Sequence, residues 1–114
     1  MKTTQDLLAE ANAAVPRLST QEAIARHAAG TGTFVDVRDS ADIAKTGTIA
    51  GARRIPRGFL EFAAAPDLGF HDPALDPNAE LYLVCGKGGQ AALAGKTLRD
   101  MGFASVTNVG GIGD

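Results

Sequence analysis

Cys85 is the only cysteine in the 114 residues, and it stands in the stretch LYLVCGKGGQAALAG, residues 81–95. A short apolar run leads up to the thiol, and Gly86, Lys87, Gly88, Gly89, Gln90 and Ala91 follow it. Small residues in that number let the backbone curl tightly and aim successive N–H groups at one centre. A helix beginning near Gly89 adds its unsatisfied amides and the positive end of its dipole to the same point. The species such a ring would hold is a thiolate. A free thiol ionises with a pKa of about 8.5, so only a few per cent is anionic at neutral pH; helix N-termini and nearby cations lower the value by one to several units. The competing reading makes Cys85 a small buried apolar residue that closes a strand. A plain strand-to-helix link does not need so many glycines, each of which costs backbone entropy.

The same glycines invite a second chemistry. Residues 86–91, GKGGQA, match G-x-G-x-x-A between a strand and a helix, the local context of a dinucleotide fingerprint. That site also needs an acidic side chain at the end of the next strand to hold the ribose hydroxyls. Here the next strand ends in Asn108, Val109 and Gly110, with no carboxylate. Too little chain follows Ala91 to complete the crevice. A nucleotide-triphosphate loop is excluded because G-x-x-x-x-G-K-[ST] does not occur.

The elements that must position Cys85 can be read around it. Leu7, Leu8 and Ala11 fit an exposed helix from Thr4 to about Ala13, broken by Pro16. Ser19 and Glu22 form a capping box, and the helix that follows buries Ala23, Ile24 and Ala28 before stopping at Gly30. TFVDVRDS predicts a buried strand at 34–37, then a brief helix at 41–45 capped by Asp39 or Ser40. A glycine-punctuated connection carries a short strand near Ile55. FLEFAAAP predicts a helical segment closed by Pro66, with Phe59 and Phe62 packing, and a long Asp- and Pro-rich loop comes next. The strand 81–84, the glycine turn, a helix at 89–101 with Leu98 and Met101 facing the core, and a last strand at 105–109 complete the pattern. Strands alternating with helices imply a three-layer α/β/α domain with a mostly parallel sheet of four to five strands.

Composition narrows the function classes. Hydrophobic residues make up 45% and charged residues 21%, ordinary values for a globular domain. The formal net charge of −2 offers no broad basic field for nucleic acid or an anionic membrane. Arg53, Arg54 and Arg57 cluster, and a solvated loop explains them. A lone cysteine cannot form an intramolecular disulfide, which suits a reducing compartment. The N-terminus is too polar and acidic for a signal peptide, and no apolar run approaches the roughly 20 residues that span a bilayer. A cytoplasmic protein is the expectation. His27 and His71 have no metal-ligand spacing with Cys85, so no metal or organic cofactor is expected.

Four segments in order, FVDVRDSADI, GTIAGARRIPRGFLEF, LYLVCGKGGQAALAGKTLRDMGF and VTNVGGIGD, resemble the rhodanese-like sulfurtransferases from about Ser19 to Gly113. The resemblance implies a single domain over 1–114, with 1–16 as an N-terminal extension. It implies that Cys85 is a nucleophile that takes the outer sulfur of thiosulfate or another persulfide donor and passes it to cyanide or a thiol, a protein thiol among the acceptors. Backbone N–H groups of Gly86, Lys87, Gly88, Gly89, Gln90 and Ala91 would cradle the persulfide, and Lys87 would attract an anionic donor. Asp36 and Arg38 match the family's D-V-R element and would brace the loop. Related phosphatases place one more residue between cysteine and arginine; the loop from Cys85 to Gln90 has the shorter, sulfur-sized length.

Three departures from the family bear on function. Gln90 stands where the family often has Arg, offering a neutral amide in place of a charged fork of donors. Gly47, Thr48, Ile49, Ala50, Gly51 and Ala52 replace G-H-I-P-G-A, a change at a histidine that is peripheral in the family. The chain stops at Asp114, where the family continues through an aromatic residue into a closing helix; either the sequence is cut short there, or another element, such as the N-terminal helix or a second subunit, covers that face. Two rivals stand beside the transferase: a non-enzymatic rhodanese module for protein interaction or redox sensing, and a small oxyanion phosphatase or reductase.

Overall fold

The computed structural model describes residues 1–67 and 69–111. The end of VTNVGGIGD and the stop at Asp114 lie outside the described residues. Among the described residues four strands, β1 (Thr33–Asp36), β2 (Arg53–Arg54), β3 (Glu80–Cys85) and β4 (Ser105–Gly111), form one sheet in the order β2-β1-β3-β4. Every pairing is parallel. Chain connections leave β1 toward one edge and β3 toward the other. The carboxyl ends of β1 and β3 therefore frame the crevice where parallel sheets bind ligands. Cys85 and the Asp36–Arg38 element flank that crevice.

β3 reads ELYLVC, and its five residues after Glu80 are buried, as a central strand covered on both faces requires. Alternation splits them. Leu81, Leu83 and Cys85 face one core, with Val35, Leu60, Ala91, Ala94 and Leu98. Tyr82 and Val84 face the other, with Ala23, Phe34 and Val109. Phe34 stacks on Tyr82 with ring centroids 4.9 Å apart.

Among the described residues five α-helices cover the sheet: α1 (Thr4–Ala14), α2 (Thr20–Ala28), α3 (Ser40–Thr46), α4 (Leu60–Ala64) and α5 (Gly89–Asp100). The Ser19–Glu22 capping box forms, with Glu22 N–H donating to Ser19 Oγ at 3.1 Å. A second box, between Thr3 and Asp6, starts α1. Asp39 takes the cap position of α3 without a side-chain bond. The short strand expected near Ile55 falls at Arg53–Arg54, and Ile55 itself is buried just beyond it. Pairing with β3 moves β1 one residue earlier than the apolar pattern suggests, although Val37 N–H still donates to the Val84 carbonyl at 3.0 Å.

Several burial expectations change. α2 buries Ala23, whereas Ile24 is 63% exposed and Ala28 is exposed. Ile24 instead borders an apolar groove of about 270 Å³ with Phe34, Ile49, Val84 and Val109. α1 does not cover this side, because it packs along α5 on the opposite face. Leu98 is buried as expected, but Met101 ends its helix half in solvent. Phe59 and Phe62 stack on each other, 5.8 Å between centroids, and Phe59 meets Phe70 edge-on, yet all three remain exposed. No helix among the described residues is long and apolar enough to cross a membrane.

Candidate active site

Gly88 decides the shape of the loop after Cys85. Its φ of +97° is the left-handed conformation that favours glycine, and it occupies the cap position of α5. The turn brings Gly88 N–H to 2.8 Å from Cys85 Sγ. Among the described residues this is the single hydrogen bond to the sulfur, so the expected ring of amides is represented by one donor. The residue is 1% exposed and belongs to the core on the α5 face. Gly86, Lys87 and Gln90 are exposed around it, Gly89 is half-buried, and Ala91 is buried under the first turn of α5.

A fixed scaffold backs this loop. Cys85 pairs with Gly111 across a register shift between β3 and β4. A methyl group on Gly111 would fall on the Gly86 carbonyl and lie 2.7 Å from Lys87 Cα, so only glycine lets the loop approach β4 this closely. Asn108, buried in β4, donates from Nδ2 to the Gly88 carbonyl at 2.9 Å. Its Oδ1 accepts from Gly110 N–H at 2.8 Å. Sequence reasoning noted Asn108 only as the wrong residue for a dinucleotide site. The signal that marks it is an amide amid apolar strand residues, a position that must find partners when buried.

Arg17 was missed entirely. Leu18 N–H donates to the Asn108 carbonyl at 3.0 Å, and Asn108 N–H donates to the Pro16 carbonyl at 2.9 Å. Residues 16–18 thereby lie parallel to β4. The Arg17 guanidinium packs against Gly88 and Gly110. An arginine after a helix-ending proline carries no local sign of this placement.

Asp36 and Arg38 form a buried ion pair, Nη2 to Oδ2 at 2.8 Å, with further bonds from Arg38 Nε and the Arg38 backbone N–H. Arg38 also donates to Thr46 Oγ1 and to the Gly47 carbonyl, both at 2.7 Å. Thr48 Oγ1 donates to Asp36 Oδ2 at 2.7 Å. Thr48, at the position of the family's peripheral histidine, thus contacts a buried carboxylate. The pair ties the end of β1 to the turn after α3; its described bonds do not include residues 86–91. Burial would raise the Asp36 carboxyl, but the bonds from Arg38 and Thr48 outweigh it and hold the group below the usual carboxylate range. The Arg38 guanidinium is held above its ordinary value first by its bonds to Asp36, against burial, with the charges of Asp36 and Asp42 adding to the effect.

The other singled-out residues lie elsewhere. His27 Nε2 is 2.8 Å from the Ala50 carbonyl, and His71 Nε2 is 3.3 Å from that of Leu75. Arg53 pairs with Asp72, and Arg57 with Glu61 and Thr97. Among the described residues no three His, Cys, Asp or Glu side chains gather as a metal site.

A rhodanese-like domain model matches residues 19–112. The chain belongs to the rhodanese-like family. Its fold is shared with RPA3614 from Rhodopseudomonas palustris CGA009, a protein of unknown function described as a possible tyrosine phosphatase. The two are 34% identical over 99% of this chain and 88% of that one, with a TM-score of 0.94. The human single-domain sulfurtransferase TSTD1 is 28% identical over 83% of this chain and 88% of its own, with a TM-score of 0.71. SSP1007 from Staphylococcus saprophyticus subsp. saprophyticus is 25% identical over 86% and 90%, with a TM-score of 0.69. No curated protein matches the sequence. α1 and Arg17 precede the matched region, whereas Asp36, Arg38, Cys85 and Asn108 fall inside it.

Proposed function

We propose that this rhodanese-like protein is a sulfurtransferase that works through a persulfide on Cys85. The observation that carries the reading is the Gly88 N–H aimed at Cys85 Sγ from the N-cap of a twelve-residue helix, at the carboxyl end of the central strand. In the first step the thiolate attacks the outer sulfur of thiosulfate or another persulfide donor. The donor's S–S bond breaks and sulfite, or the corresponding thiolate, leaves with the bonding pair. In the second step cyanide or an acceptor thiolate, a protein thiol included, attacks the terminal sulfur. The Sγ–S bond breaks and its electron pair returns to Cys85, so no external oxidant or reductant is consumed. This is double displacement, with ping-pong kinetics.

Each assigned residue has a task in this scheme. Gly86, Lys87, Gly88, Gly89, Gln90 and Ala91 supply the cradle for the persulfide, with the Lys87 charge drawing an anionic donor. Asp36 and Arg38 fix the far wall of the crevice. Because Cys85 is 1% exposed, donor entry requires the loop to shift. A thiol that cycles in this way suits a reducing compartment, and we place the protein in the cytoplasm. The reaction as written calls on no metal or organic cofactor.

Incubation with thiosulfate or an organic persulfide should add the mass of one sulfur atom to the intact protein. Cyanide or a thiol should remove it, and Cys85→Ser should take up none. The burial of Cys85 and the neutral Gln90 favour one alternative, a binding or sensing module without turnover; absence of the adduct with every donor would decide for that module. A phosphatase, the activity suggested in the description of RPA3614, is disfavoured because neither Gln90 nor Ala91 offers a guanidinium to a phosphate. Turnover of an aryl phosphate would reverse that judgement.

A further inference from the structure

We infer that Arg17 supplies, from outside the loop, the fixed cation that the loop lacks at Gln90, and that it selects for anionic reactants at Cys85. The inference rests on the reading of Cys85 as the reacting thiol. A methyl group built on Gly88 would lie 2.6 Å from Arg17 Nη1 and 3.0 Å from its Cζ. One built on Gly110 would lie 2.7 Å from Nη2. The guanidinium therefore fills the space that side chains at both positions would take. Both glycines have positive φ, so the backbone turns open this slot on one side of the loop.

The base of Arg17 is anchored as well. The two backbone bonds between residues 16–18 and Asn108 fix its Cα beside β4, and Asn108 also holds the Gly88 carbonyl. Gly88 then carries the N–H that meets the sulfur. Adding to that 2.8 Å bond the N–Cα bond of Gly88, the length of a Cα–Cβ bond and the 2.6 Å from that methyl position to Nη1 keeps Nη1 within about 8.4 Å of Sγ. A charge at that range acts on an approaching anion, provided salt does not screen it; the Debye length is about 30 Å at 0.01 M ionic strength. Arg17 also precedes the residues that match the family model, so the device belongs to this chain's N-terminal segment.

The test uses Cys85 as its own reporter, since no other thiol is present. Rates of alkylation by anionic iodoacetate and neutral iodoacetamide are measured on the full chain at low ionic strength, and their ratio is the readout. Arg17→Ala should lower the iodoacetate-to-iodoacetamide ratio about three- to tenfold, the scale of local electrostatic steering. Arg17→Lys should keep most of it. A purely structural role would slow both reagents together and leave the ratio unchanged, which would overturn the inference. Should the alanine variant not fold, Arg17→Gln retains the packing on Gly88 and Gly110 and carries the same comparison. A thiol inert to both reagents overturns the inference too, because a cation beside an inaccessible sulfur selects nothing. An unchanged ratio at a thiol that does alkylate overturns this inference alone, whereas an inert thiol overturns it together with the persulfide reading, so the two failures are distinguishable.

Discussion

Asn108 holds the Gly88 carbonyl at 2.9 Å, and the N–H of the same glycine donates to Cys85 Sγ at 2.8 Å. One buried amide in β4 thereby sets the position of the amide that faces the Cys85 sulfur. The loop is shaped from the neighbouring strand as much as from its own glycines.

Asn108→Ala should expose that dependence. It leaves the Gly110 N–H without its partner and removes one of two donors from the Gly88 carbonyl, which keeps the Ala92 N–H at 3.0 Å, at a cost of about 2 kcal/mol in a urea denaturation experiment. Persulfide formation should slow as well. Asn108→Asp separates the two bonds: it can still accept from Gly110, but it turns an acceptor toward the Gly88 carbonyl. If the bond to Gly88 positions the loop, the aspartate variant will also be slow; normal rates there would assign Asn108 to stability alone.

Gly88→Ala should impair transfer for two reasons that can be told apart. Alanine is strained at φ +97°, at about 1–3 kcal/mol, and its methyl would press on the Arg17 guanidinium. A shift of the loop by even a fraction of an ångström from Sγ should lower the rate about tenfold or more. Adding Arg17→Ala removes the contact but not the backbone strain. Thermal denaturation of the double variant should therefore recover part of the stability lost by Gly88→Ala, and not all of it.

The Asp36–Arg38 pair predicts a pH signature. Asp36 has a folded pKa depressed below its unfolded value, because its bonds to Arg38 and Thr48 outweigh its burial. Its contribution is then fully present above the unfolded value of about 3.9, and is lost as pH falls through the folded one. Asp36→Ala should cost about 3 kcal/mol near neutrality, since it strands Arg38 in the interior. The stability difference between wild type and Asp36→Asn should stay constant from about pH 7 to pH 5 and shrink below about pH 4. A difference that persists into strong acid would contradict the assignment.

Gln90→Arg addresses the loop's missing charge. The exposed side chain sits in the first turn of α5, where a guanidinium could meet an anionic donor. The kcat/KM for thiosulfate should rise about tenfold, the equivalent of one charge-assisted hydrogen bond. If Arg17 already supplies the cation, removing it from the Gln90→Arg protein should cost less than removing it from the wild type. A flat response to Gln90→Arg would show that the neutral amide does not limit the reaction.

The sequence alone determined the parts of this protein that follow short-range rules. The apolar run 81–84 had to be a strand, because the glycines behind it and the helical pattern of Ala91, Ala94 and Leu98 left it no other element to join. Ser19 and Glu22 fixed the start of α2 through bonds three residues apart, and the alternation of strands with helices dictated a parallel sheet. The position of Cys85 at a strand's carboxyl end followed from the same local signals. What the tertiary structure decided lies between residues far apart in the chain. Periodicity placed Ile24 and Met101 in the core, yet their helices turned them toward a groove and toward solvent, because burial depends on what stands opposite. Thr48 looked peripheral until the turn after α3 laid its hydroxyl on Asp36. Arg17 and Asn108 reach the cysteine loop only because residues 16–18 pair with β4 and β4 lies beside β3, a juxtaposition made by the sheet that no local pattern in either segment records.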